Sequence, residues 1–121
     1  MPDQKFKLSS LRGDAAFRRV LSQGEAMRSP HFLIKRLPYK PKHGEPWSPR
    51  VVAGIVASKK KLGKAVCRNR ARRRVKEALR QIECLPCRVV IILDSGVLKM
   101  DFGELMHALE QSLNRPLKRK K

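Results

Sequence analysis

The stretch from Ser58 to Ile82 constrains this chain most, because it reads as a helix that is charged over most of its surface. It holds eleven of the chain's 29 Lys and Arg residues against a single acid, Glu77. A helical period of 100° per residue aligns one narrow apolar stripe. The stripe consists of Cys67, Ala71, Val75, Ala78 and Ile82. We therefore predict a helix that packs through mostly small side chains and exposes a dense cationic surface.

The face opposite this stripe is polar and basic. It carries Asn69, Arg73, Lys76 and Arg80, flanked by Arg68, Arg70, Arg72 and Arg74. Like charges held on one rigid helix repel each other unless a polyanion neutralises them. An Arg-rich helix that is merely solvated is the plain alternative, but such helices usually mix both signs of charge. The pattern therefore favours binding to the phosphates of a nucleic acid.

Composition indicates one folded domain. The chain has 121 residues, 41% of them hydrophobic, and a net charge of +19. These values fit a single modest core and argue against a disordered basic tail. No apolar run is long enough to span a bilayer, and the first residues do not resemble a signal peptide. We expect one cytoplasmic domain over 1–121, with a loose lead-in from Met1 to Ser10 and a basic tail over 114–121.

Hydrophobic periodicity predicts an α+β fold, a mixed sheet with helices packed on it. A first helix should begin at Asp14, which would cap it, and end at Gly24. Asp101 and Glu104 form a capping box for a final helix. The buried face of that helix should carry Phe102, Leu105, Leu109 and Leu113. Strands are expected near Met27–Arg28, then at His31–Leu37, Val51–Ala57 and Arg88–Asp94.

The three cysteines leave several interpretations open. Cys67 lies on the apolar stripe, where a packed thiol is expected. Cys84 and Cys87 form a C-x-x-C motif, which is compatible with half a zinc site or a redox pair. A zinc site needs two more ligands, and a redox pair normally lies at a strand-to-helix turn. We favour two reduced thiols in a connector.

Nothing in the sequence indicates catalysis by protein side chains. The ten acidic residues form no paired-carboxylate motif, and no His lies beside a candidate nucleophile in sequence. We therefore predict no catalytic residue in this chain.

One block carries a resemblance to a known family. The block begins with Ser58-Lys59-Lys60 and continues with Gly63-Lys64-Ala65-Val66 and then Arg68-Asn69-Arg70. It ends with Arg72-Arg73 and Glu77-Ala78. This order resembles the signature of the bacterial ribonuclease P protein subunit, and the similarity extends over about Leu8 to Leu113. The segment from Lys59 to Gly63 is one residue longer than the common form of the family.

The resemblance implies both a fold and a function. The implied fold is a two-layer sandwich of four strands and three helices in αβββαβα order, with a left-handed crossover through the basic helix. The implied function is assistance to a catalytic RNA that removes the 5′ leader of precursor tRNA. That RNA holds the catalytic Mg²⁺, so the protein is an enzyme subunit that binds no metal itself. The implied assembly is one protein per RNA, without DNA or membrane partners.

The resemblance also implies two RNA-binding surfaces. The catalytic RNA would contact Arg68, Asn69, Arg70, Arg73 and Lys76. The precursor leader would contact Phe17, Lys35, Lys59, Lys60 and Lys61. An aromatic ring such as Phe17 can stack on any base, which suits a general processing factor. Leu21 and Lys35 stand where the family often has aromatics, so Lys35 would contact a leader phosphate instead of stacking.

Two other classes of function share the charge pattern. A structural ribosomal RNA-binding protein would have similar composition, and cleavage of precursor tRNA with a catalytic RNA distinguishes it. A DNA-binding regulator would favour a helix-turn-helix pair. The strand predicted directly before the basic helix argues against that arrangement.

Overall fold

The computed structural model describes residues 7–29, 31–39, 44, 50–82 and 86–114. The helices are α1 (Asp14–Gln23), α2 (Lys59–Leu62), α3 (Ala65–Gln81) and α4 (Phe102–Leu113). The strands are β1 (Lys7–Ser10), β2 (Glu25–Ser29), β3 (Phe32–Pro38), β4 (Arg50–Val56) and β5 (Cys87–Leu93). A 3-10 helix over Ser95–Leu98 joins β5 to α4. The predicted α+β class is confirmed, and no helix in these ranges is long and apolar enough to cross a bilayer.

The described residues form one mixed sheet with the strand order β1-β4-β5-β3-β2. β4 runs parallel to both β1 and β5, whereas β3 is antiparallel to both β5 and β2. The sheet therefore has five strands where four were predicted. The extra strand, β1, lies in the segment that we expected to be a loose lead-in. Its sequence, Lys-Leu-Ser-Ser, does not alternate between apolar and polar residues. It forms a strand because its backbone pairs with the edge of β4.

Both faces of the sheet are covered, but unequally. The larger core joins α3, the 3-10 helix and α4 to one face, which carries Ile34, Ala53, Val89 and Ile91. A smaller core packs α1 on the opposite face around Val20 and Val90, with Leu11 beside them. The two-layer description therefore fits the α3 and α4 side, and α1 adds partial cover to the other side.

The ends of α1 differ in part from expectation. Gly13 is the N-cap, with a φ of 92°, and Asp14 is the first helical residue without a capping side-chain hydrogen bond. The predicted role of Asp14 as the cap is therefore wrong, although its charge still suits the positive end of the helix. Gly24 ends the helix as predicted, and a Cβ there would lie 2.4 Å from the Val20 carbonyl oxygen and 2.9 Å from the backbone nitrogen of Arg36. Backbone of α1 and of β3 therefore leaves no room for a side chain at this position.

A turn divides the basic stretch into α2 and α3. Gly63 has a φ of 70°, in the left-handed region that glycine adopts without strain. Lys64 then serves as the N-cap of α3. The capping box at Asp101 and Glu104 of α4 is present as predicted.

Arg36 is charged and fully buried in the core side of β3. Its side chain is only 2% exposed. The guanidinium donates a hydrogen bond to the backbone carbonyl of Leu113, in the last turn of α4. It also lies 3.9 Å from the Glu25 carboxylate on β2. Arg36 therefore ties the end of α4 to two neighbouring strands.

Replacement of Arg36 should destabilise the fold by more than a surface arginine does. Arg36→Met keeps the apolar stem but leaves a helix carbonyl and a carboxylate without the guanidinium. We expect a loss of about 3 kcal/mol in the free energy of unfolding, measured by urea denaturation. Arg28→Met, at an exposed position of β2, is the matched control and should cost less than about 0.5 kcal/mol. Equal losses in both variants would contradict the tethering role.

Candidate nucleic-acid interface

α3 separates its apolar and cationic residues as the sequence predicts. Ala71, Val75 and Ala78 are completely buried against the larger core. Cys67 is half-buried at the start of the stripe, and Ile82 is buried as the C-cap. The exposed face carries Asn69, Arg70, Arg72, Arg73, Lys76 and Arg80. One side of α3 is therefore buried in the larger core, while most of the helix's charged side chains remain exposed to water.

Arg74 is the exception among the arginines of α3. Its guanidinium donates hydrogen bonds to the carbonyls of Leu98, at 3.0 Å, and Met100, at 2.6 Å. It also lies over the Phe102 ring, 6.0 Å from the centroid. This side chain fastens α3 to the segment that leads into α4. Arg74 therefore acts within the fold, although the sequence gives it the same flanking position on the helix as the exposed Arg70.

Arg68 also differs from its neighbours. Its side chain is half-buried, and its Nε is fully enclosed without a hydrogen-bond partner in the described part of the chain. A buried donor of this kind is costly unless something accepts its proton.

Phe17 lies on the opposite face of the sheet. Its ring rests on β4 at Gly54, where an added Cβ would come within 2.5 Å of the ring carbon Cζ. Gly54 is therefore required for this position of the ring. Phe17 is half-buried and packs at the margin of the smaller core. Part of the ring is thus available to a ligand.

More cations surround α1 on this face. The Lys35 ammonium donates to the carbonyl of Leu21 at 3.0 Å, which ties β3 to the last turn of α1. Arg88 on β5 is half-buried and donates from Nε to the Pro38 carbonyl. Burial lowers the pKa of the Arg88 guanidinium, and repulsion from Arg19 lowers it further. Arg19 and Arg88 were absent from the predicted site because neither belongs to a recognisable motif.

A cleft of about 500 Å³ lies between β1 and α3. Phe17 lines one end of it, and Arg72, Lys76 and Arg80 line the α3 side. The cleft thus brings Phe17, predicted for the leader, and Lys76, predicted for the catalytic RNA, to one cavity. Sequence reasoning placed these two residues on separate surfaces.

Comparison with known proteins decides the family. The family model described as Ribonuclease P matches residues 6–117. The chain belongs to the ribonuclease P protein family. The resemblance carried by the Arg68-Asn69-Arg70 block is thereby confirmed.

Several curated members of the family are similar to this chain. The ribonuclease P protein component of Thermus oshimai is 37% identical over 108 residues, covering 89% of this chain and 64% of that protein. That of one Thermus thermophilus strain is 35% identical and covers 90% and 60%. That of Symbiobacterium thermophilum is 33% identical and covers 90% and 91%. The chain therefore spans less than two thirds of the Thermus proteins.

Solved ribonuclease P proteins share the fold. The Thermotoga maritima protein superposes with a TM-score of 0.66 at 24% identity, covering 96% of this chain and all of that one. The Staphylococcus aureus protein gives a TM-score of 0.67 at 23% identity, covering 84% and 89%. These similarities support the mixed sheet and the placement of the helices.

The remaining family-derived positions are only partly described. Lys60 is exposed on α2, whereas the side chains of Lys59 and Lys61 lie outside the described residues. Cys84 also lies outside them. Cys87 is buried and begins β5, so its predicted place in a connector is wrong. Every second residue of β5 from Cys87 to Leu93 is buried in the larger core, so the strand begins at Cys87.

Stability measurements can distinguish the structural role of Arg74 from that of the exposed arginines of α3. Arg74→Ala should lower the free energy of unfolding by about 2 kcal/mol, because two charge-assisted hydrogen bonds are lost. Arg73→Ala removes the same side chain from the exposed face and should change stability by less than about 0.5 kcal/mol. Urea denaturation of both variants tests this difference. Equal stability of the two would show that Arg74 does not fasten α3 to α4.

Proposed function

We propose that this protein is the RNA-binding subunit of a ribonuclease P and assists removal of the 5′ leader from precursor tRNA. The observation that carries the proposal is family membership over 112 of 121 residues, combined with a cationic α3 face whose side chains are exposed along most of its length. Such a face suits a large, folded polyanion. The named relatives are ribonuclease P protein components.

In this proposal the catalytic RNA binds the exposed face of α3. Arg68, Asn69, Arg70, Arg73 and Lys76 provide its contacts. Arginine forks bind phosphate oxygens in pairs, which favours a fixed orientation on RNA. Arg74 takes no part, because it is committed to the carbonyls of Leu98 and Met100.

The leader then lies on the face that carries α1. Phe17 offers a ring for base stacking, which is tolerant of sequence. Arg19 and Arg88 are close enough to repel each other, and a leader phosphate relieves that repulsion. The Lys35 ammonium already donates one hydrogen bond to the Leu21 carbonyl. Only its remaining N–H donors can therefore bind a phosphate. Lys60, exposed on α2, adds a further cation for the leader, and Lys59 and Lys61 are assigned to the leader from the family resemblance alone.

The chemistry belongs to the RNA subunit in this proposal. The RNA would hold the Mg²⁺ that supplies the metal-ion chemistry, while the protein screens phosphate repulsion between the two RNAs. Within the described residues, no group of three or more His, Cys, Asp or Glu side chains fits a metal ion. We further propose a cytoplasmic complex with one protein per catalytic RNA.

Two variants should separate the two surfaces. Arg68→Ala with Arg70→Ala removes two phosphate contacts and should lower the salt dependence of catalytic-RNA binding by about two units in the log–log slope. Phe17→Ala should leave that assembly almost unchanged. It should instead weaken binding of precursor tRNA by about 1–3 kcal/mol, because one stacked base is lost. Filter binding over a range of salt concentrations measures all these quantities.

The control for Phe17→Ala is mature tRNA, which has no leader. Since Phe17 also packs on Gly54, the melting temperature of the variant must first show that it folds. A folded Phe17→Ala protein that loses affinity equally for precursor and mature tRNA would refute the leader assignment. Unchanged RNA assembly in the double arginine variant would refute the α3 assignment.

A further inference from the structure

Phe17 is carried by a helix that rests on a small core. Among the described residues, the core beneath α1 has three fully enclosed members, Leu11, Val20 and Val90. A backbone hydrogen bond from the Leu11 nitrogen to the Ala53 carbonyl, at 2.9 Å, ties the segment before α1 to β4. Because so small a core buries little of α1, the exact position of the helix depends on contacts outside that core.

The last turn of α1 is held by a side chain from β3. The Lys35 ammonium donates a hydrogen bond to the Leu21 carbonyl at 3.0 Å. Carbonyls in the last turn of a helix have no partner within the helix, and a cation beside them also interacts favourably with the helix dipole. α1 has no basic residue in its own last turn. Lys35 therefore supplies, from a neighbouring strand, the positive charge that this end of the helix lacks.

The backbone of β3 meets α1 at the same place. A Cβ on Gly24 would lie 2.9 Å from the Arg36 nitrogen and 3.2 Å from the Lys35 carbonyl carbon. The end of α1 thus lies directly on β3 beside Lys35, and the lysine hydrogen bond holds it there. Leu21 follows Phe17 by four residues, so the two lie on one face of the helix, one turn apart. A shift of the helix end would therefore displace the Phe17 ring as well.

The tip of the Phe17 ring rests on β4 at Gly54. A Cβ on Gly54 would lie 2.5 Å from Cζ, 2.7 Å from Cε1 and 3.3 Å from Cε2 of the ring. These three atoms form the outer end of the ring, so the ring points with its tip toward the strand. Carbon atoms in contact lie about 3.5–4.0 Å apart, so a methyl group at this position would displace the tip by about 1 Å. Gly54 therefore sets the distance between the ring and the sheet.

We infer that Lys35 and Gly54 are positioning residues, which together fix the Phe17 ring for contact with the leader. Lys35 fixes the end of the helix that carries the ring, and Gly54 fixes the tip of the ring on the sheet. The inference rests on the proposed function of Phe17. It adds that Lys35 acts on the leader through the ring, whereas a direct phosphate contact would act through charge. A ring already held in its bound position costs less ordering on binding, which strengthens the contact.

NMR spectra of the free protein report the position of the ring without any RNA. Lys35→Met removes the ammonium but keeps an apolar stem, and Gly54→Ala adds the methyl group beneath the ring. Both substitutions should shift the aromatic signals of Phe17. Gly103→Ala, at an exposed position of α4, is the matched control for the added methyl group and should leave these signals unchanged. Unchanged Phe17 signals in folded Lys35→Met protein would refute the inference.

Binding of precursor and mature tRNA to the complex with the catalytic RNA tests the consequence for the leader. Lys35→Met and Gly54→Ala should each weaken precursor binding by about five- to tenfold, within the range for loss of one stacked base, and leave mature tRNA binding unchanged. The log–log salt slope of precursor binding should not change in Lys35→Met, since no phosphate contact is lost. A slope lower by about one unit would make Lys35 a direct phosphate contact and contradict its positioning role.

The same substitutions in a Phe17→Ala background separate action through the ring from a general structural effect. If Lys35 and Gly54 act through the ring, neither substitution should weaken precursor binding further once the ring is absent. A further loss of similar size would overturn the inference. Melting temperatures show which variants fold, and Lys35→Met alone decides the question if Gly54→Ala does not fold.

Failure of the inference can be told apart from failure of the proposed function. If Phe17→Ala alone leaves precursor binding unchanged, the leader assignment in the proposed function is wrong. The NMR comparison of Lys35→Met and Gly54→Ala with Gly103→Ala then still decides whether the two residues position the ring, because it involves no RNA.

Discussion

The packing of α3 on the sheet through small side chains is the contact on which the other features depend. Ala71, Val75 and Ala78 are fully buried in the larger core, where α3 packs against β4, the 3-10 helix and α4. Because this stripe is narrow, the remaining surface of the helix can carry cations without burying them. A helix docked through bulkier residues would stand further from the sheet and widen the cleft beside β1. The packing of α3 therefore determines both which of its cations are exposed and how wide the cleft beside β1 is.

This arrangement has an electrostatic cost that the fold offsets only in part. α3 has no acidic residue in its first turn, where a carboxylate would interact favourably with the helix dipole. Glu77 reaches Arg80 and Gln81 and leaves the other exposed cations unbalanced. Arg74 contributes packing by binding the segment before α4. The repulsion that remains favours the bound state, since an RNA that neutralises α3 also relieves the strain between its charges.

Much of the fold and part of the site could be predicted from the sequence. The stripe of α3, the burial of Phe32 and Ile34 on β3, and the capping box at Asp101 all follow local periodicity or local hydrogen bonding. β1 could not be predicted, because Lys-Leu-Ser-Ser becomes a strand only beside the edge of β4. The role of Arg74 and the burial of Arg36 depend on carbonyls far away in the chain. The cleft depends on where β1 ends, which no local pattern encodes.

The central claim is that this protein assists an RNA catalyst, and one measurement tests it most directly. Precursor tRNA is incubated with the cognate catalytic RNA over a range of Mg²⁺ concentrations, with and without the protein. The account predicts that the protein shifts correct cleavage to lower Mg²⁺, because its cations replace part of the screening by metal ions. Protein freed of RNA should give no cleavage. Identical Mg²⁺ dependence with and without the protein, or correct cleavage by the protein alone, would contradict the account.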